Sequence, residues 1–345
     1  MKEEEAYSIL DIISESEGQS VILTRSGSIC IPFELRQPEC YSLSPEDIDE
    51  RDGMYREAFR HMPDGAYVHK QDVFLKKEYH PGKGTGSFLD RADARHFEGR
   101  LYIDHTCILH FVLAGLKSLE KAYVSSPLAY KEHLVDNAVS ILQNMRGNSV
   151  LPMSCEGISG FTRAYSGLFG DTDAVVDIHV DGSLHVGKNH ARCYAVCDET
   201  FLPEGNIESY VRDESLPPAA SQLYHPLMEQ LGMYLPYNHI VNQVIYFEGN
   251  ERLRSRIARN IDIYGSNSSM NKGIEREFKE LEKLQTEILE ENQMLVRSFF
   301  SVCVFDGSDT ELEKADKRIR EILNLNRFKY YIPGYGNLAR MHFAC

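Results

Sequence analysis

Residues 175–189 read VVDIHVDGSLHVGKN, and two folds compete for them. From Gly182 to Lys188 they fit G-x-x-x-x-G-K, the start of a phosphate-binding loop. Such a loop needs Ser or Thr next, to hold Mg²⁺, and Asn189 has no hydroxyl. The loop must also follow a strand and open a helix. Here Val176, Ile178 and Val180 alternate as a strand does, and Leu184 and Val186 alternate again beyond Asp181-Gly182. A three-residue turn, Asp181 to Ser183, pairs Val180 with Leu184 and Ile178 with Val186 on one face, whereas a two-residue turn would put them on opposite faces. The stretch therefore predicts an antiparallel hairpin. The glycine-rich run Gly82–Ser87 fits no phosphate-binding spacing either. It predicts a connection into a helix N-capped by Ser87. No complete Walker motif occurs in the chain.

Working outward, the order is short strands and helices of an α+β fold, with helices packed on one face of mixed sheets. Ser26-Gly27 joins strands 21–24 and 29–33. Ser44-Pro45-Glu46-Asp47 starts a helix with an N-cap, a proline at N1 and first-turn acids, and Pro63-Asp64-Gly65 stops it. AYVHKQDVFLKKEYH is a long strand, SFLDRADARHFEG a helix, and HTCILHFVLAGL a strand. Helices are expected from Ser126-Pro127 and over 156–169. Residues 203–236 read as a long loop with one helical piece near 221–231. HIVNQVIYFEG and SFFSVCVFDG are strands around a basic helix and a second helix over 274–295. In that second helix Ile274, Leu281, Ile288 and Leu295 repeat at sevens, and packing on its own sheet is preferred over a coiled coil. Ser308-Asp-Thr-Glu311 is a capping box, and FKYYIPG is a closing strand. The division is a domain over 1–190 and a ferredoxin-like domain over 191–345 with a long helical insertion.

The chain has 345 residues, 42% hydrophobic and 26% charged, with a net charge of −15. That composition is globular, and the charge disfavours broad nucleic-acid binding. The acidic start MKEEEAYSILDIISESEG has no signal-peptide pattern, and no run reaches the ~18 apolar residues of a membrane span. The eight dispersed cysteines are expected to be reduced thiols.

Three constellations stand out. His179, His185 and His190 cluster with Cys193 and Cys197, at spacings that match no standard zinc site, and no metal is assigned. His69, Lys70, Gln71 and Asp72 put four polar residues inside an apolar strand. His69 and Asp72 point to opposite faces, so a strand edge or a partner contact is preferred over catalysis. Arg252, Arg254, Arg256 and Arg259 form a basic helix face, solvated or contacting phosphate or an acidic partner. No catalytic residue and no cofactor site is assigned.

AYVHKQDVFLKKEYHP, followed by SFLDRADARHFEGRLYIDHTCILHF, resembles the N-terminal region of the TraG-type conjugation ATPases of Bacteroides conjugative transposons. These belong to the VirB/TrbE/CagE family of type IV secretion motors. VDGSLHVGKNHARCYAVCDETFLP and NHIVNQVIYFEG continue the resemblance in the family's order. Members carry their Walker motifs downstream of such a region. The resemblance thus implies an N-terminal docking and assembly module without the P-loop domain. ATP and Mg²⁺ are expected only for the downstream domain of the parent. The implied partners are inner-membrane secretion components and further copies of the ATPase, at the cytoplasmic side and peripheral to the membrane. Two alternatives stand beside it: a nucleotide-binding enzyme with an unrecognised site, and a DNA-handling module working through the Arg252–Arg259 helix.

Overall fold

The computed structural model describes residues 9–14, 18–38, 43–81, 87–113, 135–170, 177–203, 209–212, 224–232, 234–248, 250–267, 272–290 and 296–344. In chain order the elements are β1 (Ile9–Ser14), β2 (Ser20–Thr24), β3 (Ile29–Arg36), α1 (Pro45–Phe59), β4 (Tyr67–Glu78), α2 (Phe88–Phe97), β5 (Leu101–Leu113), α3 (Asp136–Asn144), β6 (Ser149–Pro152) and α4 (Cys155–Ser166). There follow β7 (Ile178–Val180), β8 (Leu184–Val186), β9 (Asn189–Val196), β10 (Tyr210–Arg212), β11 (Tyr224–Pro226) and β12 (His239–Tyr246). The chain continues with α5 (Asn250–Asn267), α6 (Lys272–Glu290), β13 (Arg297–Asp306), α7 (Asp309–Leu325) and α8 (Tyr335–Ala344).

The hairpin reading of the opening stretch holds. Ile178 pairs with Val186 and Val180 with Leu184, and the Asp181 N–H donates to the Ser183 carbonyl at 3.0 Å. Leu184 and Val186 are buried. Lys188 lies in the turn to β9, so no helix opens where a phosphate would sit. Of the glycine-rich run, 82–86 lie outside the described residues, and Ser87 caps α2 in a capping box with Asp90. Ser44 does the same for α1 with Asp47.

Eleven strands form one sheet, ordered β1-β2-β3-β5-β4-β12-β13-β9-β8-β7 with β6 also on β3. Every pairing in it is antiparallel. Around β3 the order is β6-β3-β5-β4, with β5 antiparallel between β3 and β4. With α1 and α3 as crossovers this is the split β-α-β plan of a ferredoxin-like unit. The plan is complete in the N-terminal half; over 191–345, where the sequence places it, the strand order recurs but the described residues of the first crossover hold no α-helix.

The second half repeats the strand order. Tyr331 bridges to Ala195 of β9, and β13 lies between β9 and β12. A hairpin precedes each unit, β1–β2 and β7–β8, and a helix packs back on that hairpin, α4 on the first and α8 on the second. The equivalent strands β4 and β12 pair antiparallel from Tyr67↔Tyr246 to Phe74↔His239, which relates the units by an approximate twofold axis through this seam. By strand order the second unit begins with β7, ahead of the 190/191 boundary, and the sheet is continuous across it. Its first crossover differs: the described residues between β9 and β12 hold two 3-10 turns and the β10–β11 ribbon, with no α-helix.

Helices cover both faces rather than one. Phe59 of α1 and Leu142 of α3 share a core with Ile31, Phe33, Leu109 and Phe111. On the same face α7 packs Leu312, Ile319 and Leu323 against Tyr194, Val302 and Val304. On the opposite face Ile158 of α4 packs on Cys30 and Val112, and Leu338 of α8 on Cys193 and Cys303. Three local expectations fail. Ser308 N-caps α7 without a side-chain cap bond, and its N–H, which the box would give to Glu311, donates to Asp306 Oδ1 at 2.8 Å. FKYYIPG makes a single bridge at Tyr331 instead of a strand. α6 packs on α5 instead of the sheet: a Cβ on Gly265 would meet the Phe278 ring at 2.9 Å. Leu295 and the Ser126-Pro127 helix start lie outside the described residues.

Candidate functional site

The four polar residues of β4 sit at the seam. β4 is central, paired to β5 on one side and β12 on the other, so the expected strand edge is absent. His69, Gln71 and Asp72 are buried, and only Lys70 keeps appreciable exposure, 22% of its side chain. The residues therefore present little surface to a partner. Alternation along the strand separates them into two groups.

Lys70 and Asp72 point toward the α1 and α7 layer. Lys70 Nζ donates to Asp72 Oδ2, and His105 Nε2 of β5 donates to Asp72 Oδ1 at 2.9 Å. Phe74 is stacked between His105 and His239, with ring centroids 4.5 Å away on each side. Burial works to raise the Asp72 carboxyl, but the Lys70 ammonium and His105 outweigh it and hold it well below the usual carboxylate range. Burial likewise works against the Lys70 charge, and Asp72 more than offsets this, keeping the ammonium above its ordinary value. Burial pushes the neighbouring Tyr55 hydroxyl up to about 12 and the Cys107 thiol well up.

His69 and Gln71 point to the other face. Both His69 Nε2, at 3.0 Å, and Gln71 Nε2, at 2.9 Å, donate to Asn242 Oδ1 of β12. Asn242 Nδ2 reaches Ser301 Oγ of β13 at 3.5 Å. His69 stacks on His110 at 5.3 Å, and His110 Nδ1 lies 3.6 Å from Cys30 Sγ. Burial lowers His69, and burial with the neighbouring His69 lowers His110 to about 3. Burial lowers His239 to about 4.

These directions set the charge states of the shifted groups at the seam. A group that shuttles protons near pH 7 needs a value near 7. Asp72 and Lys70 are locked charged, and His69, His110 and His239 are locked neutral. The seam is thus a bolt between units: an ion-paired cluster on one face and an amide–imidazole network on the other. His105, His110, His239, Asn242 and Ser301 were not singled out in the sequence. Their only signal is polarity at inward positions of strands that otherwise read apolar.

The chain matches no protein-family model and no curated protein. The conjugation-ATPase resemblance therefore rests on the quoted stretches alone.

The other two constellations are rearranged. The arginines do not share one face. On α5, Arg256 and Arg259 are neighbours by helix spacing, while Arg254, two residues before Arg256, turns away and is half-buried. Arg256 Nη1 lies 3.7 Å from Glu248 Oε2, which Arg297 Nε approaches at 2.7 Å, so part of the basic charge is matched at the foot of the helix. The side chain of Arg252 lies outside the described residues. In the His/Cys cluster, Cys193 is buried toward α8, whereas the three histidines leave the opposite face.

Proposed function

We propose that this chain is a docking and assembly module of a conjugative type IV secretion ATPase. It contacts inner-membrane secretion components and further copies of the ATPase. ATP and Mg²⁺ then belong to the parent's downstream domain. One observation carries the reading: the polar residues are spent inside the sheet, while apolar ones are displayed on a projection. β4 and β5 run on beyond the seam as a two-stranded ribbon, since β12 pairs β4 only up to Phe74 and β3 pairs β5 only from Ile108. Its tip carries α2, with no buried residue, and leaves Phe88 76% and Leu89 71% exposed. Large exposed apolar patches mark contact surfaces. No helix among the described residues is long and apolar enough to cross a membrane.

The test is reconstitution of the chain with the inner-membrane secretion proteins of a conjugative element. Phe88→Ser with Leu89→Ser should abolish co-purification and leave the fold intact by circular dichroism. Retained co-purification, or MgATP hydrolysis by the chain itself, would overturn the reading.

A further inference from the structure

Strands β7, β8 and β9 bring three histidines into one row. His179 pairs with His185, and His185 pairs with His190. Cross-strand partners leave the same face of a sheet. The ring centroids are 5.7 Å apart for His179–His185 and 4.3 Å apart for His185–His190. A tetrahedral ion ~2.0–2.1 Å from one nitrogen of each of two imidazoles places their centroids roughly 5 Å apart. The two observed spacings bracket that value.

Carboxylates stand behind the rings. His185 Nε2 donates to Asp181 Oδ1 at 3.1 Å, and His190 Nδ1 donates to Asp309 Oδ1 at 2.6 Å. Each bond fixes a tautomer and leaves the other ring nitrogen as a lone-pair donor. Histidines that bind metals are oriented in this way. Asp306, the next residue in the row beside His190, is engaged by the Ser308 N–H at 2.8 Å. Arg192, on the same face of β9, lies 3.9 Å from Asp316.

We propose that His179, His185 and His190 bind a divalent transition ion of the zinc class, with Asp181 and Asp309 as orienting carboxylates. Among the described residues no three donors converge on one point as they stand. Closure falls to His179, whose side chain is 73% exposed with its Nε2 3.9 Å from Asp181 Oδ2, while His185 and His190 are 28% and 26% exposed and held by their carboxylates. The cysteines of the cluster take no part. A bound ion would tie the outermost hairpin of the second unit to the start of α7, through the His190–Asp309 bond.

The experiment is calorimetric titration of the chelator-stripped full chain with Zn²⁺ near pH 7.5, paired with the visible spectrum of the Co²⁺ form. One ion per chain, a rise in Tm reversed by chelator, and the strong d–d bands of a tetrahedral site are expected. His185→Asn should abolish the site. Asp309→Asn should weaken it about 10–100-fold, and His61→Asn should leave it unchanged. If His185→Asn lowers Tm in chelator, His179→Asn replaces it, because that side chain is largely solvated. No binding, several weak ions per chain, a six-coordinate Co²⁺ spectrum, or affinity indifferent to both histidine variants would each overturn the proposal.

Discussion

The two units share a strand order and differ in what fills the connections. In the first, α1 crosses from β3 to β4, and the β4–β5 hairpin ends in α2. In the second, the described residues hold a β-ribbon and 3-10 turns in the place of α1, and the β12–β13 connection carries the α5–α6 arm. The ribbon reaches across to the first unit: Ser209 Oγ donates to Asp49 Oδ1 of α1 at 2.6 Å, and Tyr224 bridges to Leu43. The strands are constrained by their neighbours on both sides. The connections face only one layer or solvent, and there the units differ.

The comparison breaks most readily at the seam. Asp72→Ala leaves the Lys70 ammonium buried without its carboxylate and should cost about 3–5 kcal/mol in urea unfolding. Lys70→Met with Asp72→Leu removes both charges and should recover most of that loss. Equal losses would mean that the pair contributes only packing.

Core truncations test whether the units unfold together. Leu109→Ala in the first and Ile319→Ala in the second, both fully buried, should each cost about 2–5 kcal/mol. Because β4 and β12 form one ladder, circular dichroism and tyrosine fluorescence should follow one shared transition in both variants. Two separated transitions would make the units independent domains.

Acid should weaken the seam in a defined window. His110 and His239 titrate in the fold at about 3 and about 4, below their ordinary 6.5, so the unfolded chain binds more protons between those limits. Their stabilisation is complete above pH ~6.5 and falls by about 1.4 kcal/mol per pH unit per histidine until the folded values are passed. Asp72, held below its ordinary 3.8, adds its loss only under that value. His110→Phe and His239→Phe should flatten the slope of stability equally from pH 6.5 to about 4, and only His110→Phe should flatten it further, between about 4 and about 3. An unchanged slope would mean that His110 is already protonated in the fold.

The smallest effect is expected in the arm. No described side chain of α5 or α6 is fully buried, and the Phe278 ring packs against α5 at Gly265. Phe278→Ala should shift global stability by less than about 1 kcal/mol. It should instead speed amide exchange in 250–290 and leave the sheet protected.

Local chemistry made much of the fold legible. The 178–186 register follows from alternation and a three-residue turn, and α1 and α2 start at their capping boxes. What escaped is non-local. The pairing of β4 with β12 joins residues such as His69 and Asn242, 173 positions apart, and no short window records it. The polar run of β4 resembled an edge because its partners are single polar residues scattered over β5, β12 and β13. At Ser308 Asp306 takes the N–H that Glu311 would accept in a box. The histidine row was visible only as an irregular spacing, because two different turns set its register.

The seam also has a history in the life of each molecule. While the chain is being synthesised, β4 is complete long before β12 emerges, and until then its outer side is open hydrogen-bonding edge. Charged and polar side chains on such an edge discourage pairing with strangers. Lys70, Asp72, His69 and Gln71 thus guard the nascent first unit before they fasten it to the second. The same four residues serve first as a repellent and then as a joint, and the arrival of Asn242 marks the change of duty.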